Sequence, residues 1–486
     1  MKLKDLITGM EILSVNGDVE KDITDIAYHS SRVGPGVLFA AIKGLVSDGH
    51  DFINEAVAKG ARAVVSEKEN NINTTQVIVK DSRAALARIS SKFFGQPSNK
   101  LKLIGVTGTN GKTTITYLLE SIFKEAGLSA GVIGTVEHRF NGQRIKSSNT
   151  TPESYDLQKL FKEMVVKGVG ACAMEVSSHA LTLERVAGCN FDGAIFTNLS
   201  PEHLDFHNDM ESYFESKMRL FREYLDESGK KGVFAAINAD DTYGKKLAAN
   251  VGHKILSYSL NGAADVYAKE VKISIDGIEM CIAAAQKEFT CRSELIGRFN
   301  AYNIMAAASG AIGLGIDIDV ISRGIGEVHT VPGRLEKIAN KRGVLAFVDY
   351  AHTPDALENV LVNMRELMMP KNGRLIVVFG CGGDRDRAKR PLMGKIASEN
   401  SDIAIITSDN PRSENPNTII REIVSGVTNR NYEVINERRI AIHHVAKIAK
   451  EGDVVIVAGK GHEDYQIVGL ERRHFDDREV LKEYLI

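Results

Sequence analysis

A glycine-bearing loop lies between a short apolar run and a helical pattern near residue 110. After LKLIGVT the chain continues with Gly108, Thr109, Asn110, Gly111, Lys112, Thr113 and Thr114. Glycines let backbone N–H groups turn towards phosphate oxygens, and the N-terminus of the following helix adds partial positive charge. Lys112 is placed to neutralise the β- and γ-phosphates, and the Thr113 hydroxyl to bind Mg²⁺. The loop therefore predicts a nucleoside triphosphate site.

The spacing of this loop departs from the common phosphate-binding pattern. Val106 stands where the first glycine of GxxxxGK[ST] would fall, so the loop is GxxGK[ST]. A glycine-rich turn without a ligand is the alternative interpretation, but the strand before the loop and the helix after it favour a nucleotide. The sequence contains no NKxD guanine-recognition motif, so ATP is the preferred nucleotide.

Two segments of the sequence contain side chains that could hold a metal ion. Glu175 ends the apolar run GACAMEV, where a buried carboxylate is costly unless it is paired, used as a cap or bound to a metal. Oxygen ligands suit Mg²⁺. His203, Asp205 and His207 alternate in PEHLDFH, a spacing that fits either a metal triad or a polar turn.

Lys217 lies on the apolar stripe of a predicted helix. Tyr213, Phe214, Leu220 and Phe221 surround it at helical spacing. One interpretation is a lysine whose charged end reaches water past an apolar stem. The other is a partly buried lysine with a lowered pKa, whose neutral amine is nucleophilic.

The elements that must position these residues alternate between strands and helices. LKLIGVTG, GACAMEVSS and GAIFTNLS are predicted strands of the middle of the chain, and GVLAFVDY, GRLIVVFG, SDIAIITS and GDVVIVAG are predicted strands of its last third. Alternation of this kind predicts parallel sheets with right-handed crossovers.

Ligands of such sheets bind at the carboxyl ends of the strands. The polar residues that follow the last four strands are therefore candidates for one site. They are His352, the run Asp384–Arg385, the run 409–412 and the run 460–463.

Length and composition bound the class of protein. A chain of 486 residues is too long to fold around a single hydrophobic core. Two polar or Gly/Pro-containing stretches predict three domains, 1–98, 99–332 and 333–486. The net charge of −2 does not favour nucleic acid or an anionic membrane as a partner. The five cysteines are scattered and include no CxxC pair, and the N-terminus shows no signal-peptide pattern. Both observations predict that the protein is located in the reducing cytoplasm.

Many further motifs resemble the Mur ligase family and its folylpolyglutamate synthase relatives, and they occur in the family's order over almost the whole chain. Besides GTNGKTT they are HSSRVGPGVLFAAIKGLVSDGHDFI from His29, NTTPES, EVSSHAL, TNLSPEHLDFH, GRFNAYN, VPGRLE, DYAHTPDAL, GCGGDRD, SDNPR and GKGHE.

The resemblance implies an α/β fold with three domains. A small N-terminal α/β domain would bind a uridine nucleotide, a central domain with a P-loop-type, mostly parallel sheet would bind ATP, and a Rossmann-like C-terminal domain would bind an amino acid. The implied reaction is ATP-dependent amide synthesis with Mg²⁺, in which a substrate carboxylate is phosphorylated and the acyl phosphate is attacked by an amine.

The resemblance also assigns roles near the nucleotide. Glu175 and His203 would bind Mg²⁺ with Thr113, and Lys217 would do so as a carbamate formed from CO₂. Asn300 and Asn303, one helical turn apart, would present amides to adenine, although Asn300 could instead cap its helix. Arg334, Asp349 and His352 would lie near the nucleotide, with Arg334 facing the transferred phosphoryl group and Asp349 the ribose.

Two further groups of residues match family positions for the other substrates. The implied contacts of UDP-N-acetylmuramoyl-L-alanyl-D-glutamate are Ser31, Asn149, Thr150, Thr151, Ser177 and Arg185. The implied contacts of the amino acid are Arg385, Asp409, Asn410, Pro411, Arg412, Gly459 and Glu463. In the family the run DNPR accompanies meso-diaminopimelate, because a guanidinium can hold the carboxylate that L-lysine lacks.

The sequence is also compatible with other functions. L-Lysine could replace diaminopimelate, with Arg412 only pairing with Glu414 or capping a turn. A folylpolyglutamate synthase or cyanophycin-type ligase is disfavoured by the SSR…PGVLFAAIKG region, and a P-loop kinase or switch by the polar clusters of the last domain. A silent binding module is disfavoured by the set Lys112, Glu175, His203 and Lys217. The expected protein is a cytoplasmic monomer that binds small molecules and neither nucleic acid nor membrane.

Overall fold

Three main sheets are built from three successive stretches of the chain. The computed structural model describes residues 1–44, 47–147, 149–284, 287–368 and 373–485. A five-stranded sheet spans residues 14–78, an eleven-stranded sheet residues 102–293 and a six-stranded sheet residues 336–458. Each sheet lies within one of the three predicted stretches and is covered by helices, so the predicted α/β class is confirmed.

The first sheet has the order β1-β5-β4-β3-β2, in which β1 is antiparallel to β5 and the other neighbours are parallel. Short 3₁₀ helices occur at Ser30–Arg32, Gly49–Phe52 and Pro97–Lys100. Its strands and helices are β1 (Ser14–Asn16), β2 (Asp25–Ala27), β3 (Val37–Ala40), β4 (Ala63–Ser66), β5 (Thr75–Ile78), α1 (Leu3–Ile7), α2 (Ile53–Ala58) and α3 (Ser82–Phe93).

The middle stretch contains strands β6 (Lys102–Thr107), β7 (Ala130–Ile133), β8 (Glu137–Phe140), β9 (Gln143–Lys146), β10 (Ala171–Glu175), β11 (Gly193–Phe196), β12 (Phe234–Asn238), β13 (Lys254–Ser259), β14 (Val266–Ser274), β15 (Gly277–Ala284) and β16 (Lys287–Ser293). Its helices are α4 (Lys112–Glu125), α5 (Ser154–Val166), α6 (Ser178–Thr182), α7 (Leu204–His207), α8 (Met210–Arg219), which continues as a π-helix over Leu220–Tyr224, α9 (Thr242–Ala248), α10 (Arg298–Gly313) and α11 (Ile318–Gly326).

The middle sheet positions the phosphate loop at a break in strand order. Its order is β16-β15-β14-β13-β12-β11-β6-β10-β7-β8-β9, and the strands from β14 to β7 are parallel. Strand β6 lies between β10 and β11, so the loops after these three strands meet at one edge. This is where open α/β sheets bind ligands.

Both faces of the middle sheet are buried. Ile104 and Val106 of β6 pack into one core with the apolar stripe of α4, and Leu103 packs into the core on the opposite face. Strand β6 is therefore a continuous apolar run, as expected for a parallel strand covered on both sides.

The last stretch contains strands β17 (Glu336–Ile338), β18 (Leu345–Asp349), β19 (Leu375–Phe379), β20 (Ile403–Ile406), β21 (Tyr432–Val434), β22 (Val454–Ala458), β23 (Tyr465–Val468) and β24 (Glu471–His474). Its helices are α12 (Pro354–Met368), α13 (Lys389–Asn400), α14 (Pro416–Val424), α15 (Arg438–Ile448) and α16 (Asp477–Tyr484). The sheet order is β17-β18-β22-β19-β20-β21, parallel apart from β17, and β23 and β24 form a separate hairpin.

The four strands predicted from sequence in this stretch are β18, β19, β20 and β22, and they are adjacent in the sheet. Their carboxyl ends therefore share one edge, as the candidate polar residues require. Among the described residues, no helix is long and apolar enough to cross a membrane.

A first prediction concerns the packing of Phe234. A Cβ added at Gly313 would lie 2.2 Å from the Phe234 ring, and one added at Gly193 would lie 2.4 Å from it, so glycines confine the ring on both sides. We expect Gly313→Ala to destabilise the protein by about 1–3 kcal/mol, because overpacking forces the ring or backbone to move. Calorimetry should show a lower Tm.

Gly326→Ala is the matched control. Gly326 also ends a helix, and its added Cβ would meet nothing closer than the Arg292 carbonyl oxygen at 3.6 Å. Alanine there should leave the Tm unchanged or raise it. Equal effects of the two substitutions would contradict the packing argument.

Candidate active site

The phosphate loop follows β6 and is held in place by the segment that follows β11. Gly108 has φ +141°, and a Cβ there would lie 1.9 Å from Thr197 Oγ1, so this position requires glycine. The backbone N–H of Thr109 donates to the Asn198 carbonyl at 2.9 Å, and that of Asn110 donates to Asn198 Oδ1 at 3.0 Å. The loop conformation is thus fixed by a neighbouring strand end as well as by its own glycines.

Two lysine amino groups converge on one carbonyl of this loop. Lys112 Nζ donates to the Gly108 carbonyl at 2.8 Å and to that of Thr109 at 2.7 Å, and Lys217 Nζ donates to the Gly108 carbonyl at 2.9 Å. Burial lowers the pKa of Lys112, and burial together with repulsion from Lys112 lowers the pKa of Lys217 well below its ordinary value. Lys217 is 1% exposed, so it does not reach water past an apolar stem.

Glu175 ends β10 beside this pair and is buried. Its carboxylate accepts hydrogen bonds from the backbone N–H and the hydroxyl of Thr135, both at 2.9 Å. Glu175 also helps to keep Lys112 charged, because its negative charge opposes the effect of burial on the lysine pKa. Each carboxylate oxygen accepts one of these hydrogen bonds and retains a lone pair that could bind a metal ion.

Glu202 is a site residue that sequence reasoning missed. Its carboxylate lies 3.7 Å from His203 Nε2 and 3.8 Å from His352 Nε2. Burial alone would raise the pKa of Glu202, but His203, His352, Lys112 and Lys217 together hold it below its ordinary value. The sequence offered one indication of this role, since Glu202 lies in the loop that follows the predicted parallel strand GAIFTNLS.

The last stretch of chain contributes the facing wall. Arg334 Nη2 donates to Thr113 Oγ1 at 3.1 Å, and its guanidinium lies over the Tyr350 ring at 4.5 Å. Asp349, at the end of β18, accepts from the backbone N–H groups of Leu335 and Ala351 at 2.7 and 2.8 Å, and burial raises its pKa.

Asp355 joins the two walls and was also missed. Its carboxylate accepts from Asn110 Nδ2 at 2.9 Å and from the Ser200 hydroxyl at 2.8 Å. The phosphate loop and the segment that follows β11 therefore each have a direct hydrogen bond to helix α12 of the last stretch.

These walls enclose a cavity of about 590 Å³, a volume suited to a small-molecule ligand. The structure brings together on its lining most of the residues predicted for the nucleotide and metal. They are Thr109, Asn110, Gly111, Lys112, Thr113, Thr114, Glu175, His203, Lys217, Asn303, Arg334, Asp349 and His352.

The two asparagines of α10 are separated by the structure. Asn303 lines the cavity, whereas Asn300 is not among its lining residues. Asn300 Nδ2 donates to the Ile296 carbonyl at 2.8 Å and its Oδ1 accepts from Asn303 Nδ2 at 2.9 Å. The N-cap of α10 is Gly297, so Asn300 is not the capping residue that the sequence suggested. Asn300 orients Asn303, and its amide does not itself face the cavity.

The residues expected to contact the uridine-nucleotide peptide are spread from the cavity towards the first sheet. Thr150 and Ser177 line the cavity, whereas Ser31 and Asn149 are exposed outside it. Thr151 is buried, and its hydroxyl donates to the Glu175 carbonyl at 2.9 Å. Arg185 donates to the Thr151 carbonyl at 3.1 Å and lies 3.5 Å from Glu153. The loop carrying Thr150 and Thr151 is thus tied to the end of β10.

A second polar cluster lies at the carboxyl ends of β20 and β22. Asn410 Nδ2 donates to Glu463 Oε2 at 2.9 Å, and Asn410 Oδ1 accepts from the backbone N–H of Ile467 at 2.9 Å. Lys460, fully buried, lies 3.2 Å from Glu463 Oε2. Gly459 has φ +112° and packs so closely on Asp409 that an added Cβ would lie 2.8 Å from Oδ2.

Arg412 has no carboxylate partner among the residues that the structure describes. Its Nη1 donates to the Gly383 carbonyl at 2.7 Å. Glu414, the alternative partner considered from sequence, instead pairs with Arg390 at 2.7 Å. Pro411 precedes Arg412 and is buried, while Arg385 is exposed and donates to the Asp384 carbonyl at 2.9 Å. The Arg412 guanidinium therefore retains donors for an external carboxylate.

The donor set beside the phosphate loop fits an ion that needs few protein ligands. Across the described parts of the chain, no group of three or more His, Cys, Asp or Glu side chains could hold a metal ion by itself. Mg²⁺ does not require such a group, because it commonly uses one or two carboxylates with water and substrate phosphates. Thr113 and Glu175, both on the cavity lining, fit that requirement.

Three models of one protein family match the chain in order. The model described as Mur ligase family, catalytic domain, matches residues 22–93, the Mur ligase middle domain matches residues 106–311, and the Mur ligase, glutamate ligase domain, matches residues 333–461.

Full-length relatives have similar sequences. The chain is 46% identical over 499 aligned residues to UDP-N-acetylmuramoyl-L-alanyl-D-glutamate–2,6-diaminopimelate ligase of Geobacter sulfurreducens, covering 99% of this chain and 97% of the relative. It is 40% identical to the protein of the same name from Bacillus cereus, covering 99% and 98%.

Solved structures agree with this likeness. A structure described as UDP-N-acetylmuramoyl-L-alanyl-D-glutamate–2,6-diaminopimelate ligase superposes with a TM-score of 0.72 at 33% identity, covering 100% of this chain and 98% of that one. MurF ligase from Thermotoga maritima, solved in complex with ADP, superposes with a TM-score of 0.63 at 21% identity and shares the fold.

A second prediction concerns nucleotide binding by the phosphate loop. We expect Lys112→Ala to weaken ATP binding by roughly 10- to 100-fold, because it removes a charge-assisted contact with phosphate. Isothermal titration calorimetry would measure the change in Kd. Lys124→Ala is the control on the same helix, since Lys124 is exposed and pairs with Glu120 at 2.8 Å. Unchanged ATP affinity in Lys112→Ala would contradict the assignment.

Proposed function

The chain belongs to the Mur ligase family, and we propose that it adds meso-diaminopimelate to the D-glutamate of UDP-N-acetylmuramoyl-L-alanyl-D-glutamate, with ATP hydrolysed to ADP and phosphate, in peptidoglycan precursor synthesis. The observation that carries this proposal is the shared cavity. The phosphate loop with Lys112, together with the buried Lys217 of α8, forms one wall, and Arg334, Asp349 and His352 from the last stretch of chain form the other. The printed names of the full-length relatives support the choice of substrates.

The first half-reaction forms an acyl phosphate. The substrate carboxylate attacks the γ-phosphorus of ATP, the bond to the bridging oxygen breaks, and ADP leaves. Lys112 and Arg334 are placed to stabilise the charge on the transferred phosphoryl group, since Arg334 already reaches Thr113 of the phosphate loop at 3.1 Å. Asp349 would hold the ribose.

The second half-reaction forms the amide. The amino group of the acceptor, after losing its proton, attacks the acyl carbon, and phosphate leaves as the new C–N bond forms. Asn410, Arg412 and Glu463 are the residues proposed to orient the acceptor, together with Arg385, Asp409, Pro411 and Gly459. A guanidinium without an acid partner suits the second carboxylate of diaminopimelate.

A Mg²⁺ ion would be held by Thr113, Glu175, His203 and a carbamate on Lys217, and would neutralise charge on the ATP phosphates. The carbamate forms when the neutral amine attacks CO₂, giving a C–N bond and releasing one proton. Burial and the neighbouring Lys112 favour the neutral amine of Lys217. The product replaces a buried amine by an anion whose oxygens would be available to the metal.

The remaining assignments are parts of the same proposal. We assign residues 1–98 to a uridine-nucleotide domain in which Ser31 contributes, residues 99–332 to the ATP domain and residues 333–486 to the amino-acid domain. Asn149, Thr150, Thr151, Ser177 and Arg185 would contact the peptide substrate. The protein would act in the cytoplasm as a monomer on small-molecule substrates, without nucleic acid or membrane.

A third prediction tests the reaction. Purified protein should release phosphate from ATP only when the UDP-muramoyl dipeptide and meso-diaminopimelate are both present. A coupled phosphate assay with a panel of amino acids would measure this. Comparable turnover with L-lysine would replace the acceptor in the proposal, and turnover with glutamate and a folate would overturn the proposal.

A fourth prediction concerns acceptor specificity. Arg412→Ala should lower the ratio of kcat/KM for diaminopimelate over L-lysine by roughly 100-fold or more, because a site built around a charged group rejects a ligand that lacks its partner. Arg421→Ala is the control, since Arg421 donates only to its own helix neighbours among the described residues. An unchanged ratio in Arg412→Ala would refute this role.

A fifth prediction concerns Lys217. Protein incubated with ¹³C-bicarbonate should show a carbamate ¹³C resonance that disappears in Lys217→Ala and persists in Lys246→Ala, because Lys246 is an exposed lysine paired with Glu211 at 2.6 Å. Lys217→Ala should also lose most ligase activity. An active wild-type protein without the resonance would contradict carbamate formation.

A further inference from the structure

Two buried polar atoms, one in the loop 409–412 and one beneath it, face each other without hydrogen-bond partners among the described residues. They are Asp409 Oδ2 and Arg438 Nη1, and the distance between them is 4.0 Å. This exceeds a charge-assisted hydrogen bond, which is about 2.8 Å long. A buried donor or acceptor without a partner is unfavourable, so a small movement that brings the two atoms together would be stabilising.

Arg438 is the fixed member of the pair. It begins α15 and has a fully buried side chain. Its Nε and Nη2 donate to the two carboxylate oxygens of Asp477 at 2.8 and 2.7 Å, and Nη2 also donates to the Ala458 carbonyl at 2.8 Å. Because Asp477 belongs to α16 and Ala458 ends β22, two packed elements set the direction of the free N–H.

Asp409 is connected to the residues proposed to bind the acceptor. Its Oδ1 accepts from the backbone N–H of Asn410 at 2.6 Å, and its backbone carbonyl accepts from Gln466 Nε2 at 2.6 Å. Asn410 in turn donates to Glu463 at 2.9 Å. A shift of the Asp409 carboxylate would therefore move Asn410, whose side-chain amide is proposed to orient the acceptor.

We propose that Arg438 is a positioning residue for the amino-acid acceptor. Held by Asp477, its guanidinium forms a direct ion pair with Asp409 when the acceptor binds, and this pair fixes the loop that carries Asn410 and Arg412. Arg438 touches no substrate and acts through Asp409. This inference rests on the proposed function, because it concerns the same amino-acid site.

The test compares three substrates in one enzyme. In Arg438→Met we expect the KM for diaminopimelate to rise roughly tenfold or more, as for the loss of one charge-assisted interaction, while the KM values for ATP and the UDP-muramoyl dipeptide change less than about twofold. Arg438→Lys keeps the charge but has one ammonium group for two carboxylates, so it should restore part of the affinity.

Arg374→Met is the matched control at the opposite end of the same sheet. Arg374 also pairs with a buried aspartate, Asp453, at 2.6 Å and also donates to a backbone carbonyl, that of Ile448, at 2.7 Å. If Arg438 were merely structural, both variants would lower the Tm and neither would raise the KM for diaminopimelate selectively. That outcome, or a parallel rise in all three KM values, would overturn the proposal.

A second set of variants applies if Arg438→Met does not fold. Asp409→Asn and Arg438→Lys should each raise the KM for diaminopimelate, and the double variant should show no more than the larger single effect, because both changes remove one interaction. Fully additive effects would overturn the proposal. Failure of the proposed function is distinguishable, since the wild-type protein would then not turn over diaminopimelate at all.

Discussion

Two lysine amino groups that share one carbonyl acceptor are the feature on which the site depends. Lys112 and Lys217 both donate to the Gly108 carbonyl, at 2.8 and 2.9 Å. Burial and the neighbouring Lys112 lower the pKa of Lys217, whereas the negative charges of Glu202 and Glu175 oppose the effect of burial on the pKa of Lys112. A bound triphosphate would supply the negative charge that this arrangement lacks. The middle sheet places the pair by bringing the ends of β6, β10 and β11 to one edge.

The junction with the last stretch of chain completes this arrangement. Asp355 accepts hydrogen bonds from both Asn110 and Ser200, and Arg334 donates to Thr113. These contacts join the phosphate loop to the sheet that carries the second polar cluster. A reaction in which ATP activates one substrate for attack by another requires such a junction, because proximity and orientation contribute much of the rate enhancement.

The second polar cluster, at the carboxyl ends of β20 and β22, has a supporting layer beneath it. Asn410, Glu463 and Lys460 contact one another at the strand ends, and Arg438 with Asp477 lies below them in the core. Charged groups buried this deeply hold their positions through several hydrogen bonds each. The upper layer therefore has little freedom, apart from the unpaired contact between Asp409 and Arg438.

The sequence by itself determined the α/β class, seven of the strands in the middle and last stretches, and the position of the phosphate loop, because these depend on local pattern. Alternating apolar residues, helical spacing and glycines before Lys112 are visible in a single stretch of chain. The ordered motifs determined the family. Lys217 could also be placed on an apolar stripe, since its neighbours lie within one helix.

Only the tertiary structure decided which side chains face the cavity. Asn300 and Asn303 lie one turn apart on α10 and looked equivalent in the sequence. In the structure the Asn300 amide donates to the Ile296 carbonyl, whereas Asn303 lines the cavity. Asp355 accepts from Asn110, which lies 245 residues earlier in the chain, and Glu202 is influenced by Lys112 and His352 from other elements. Glu414 was near Arg412 in sequence but pairs with Arg390. Long-range contacts of this kind depend on how sheets pack, which no local pattern encodes.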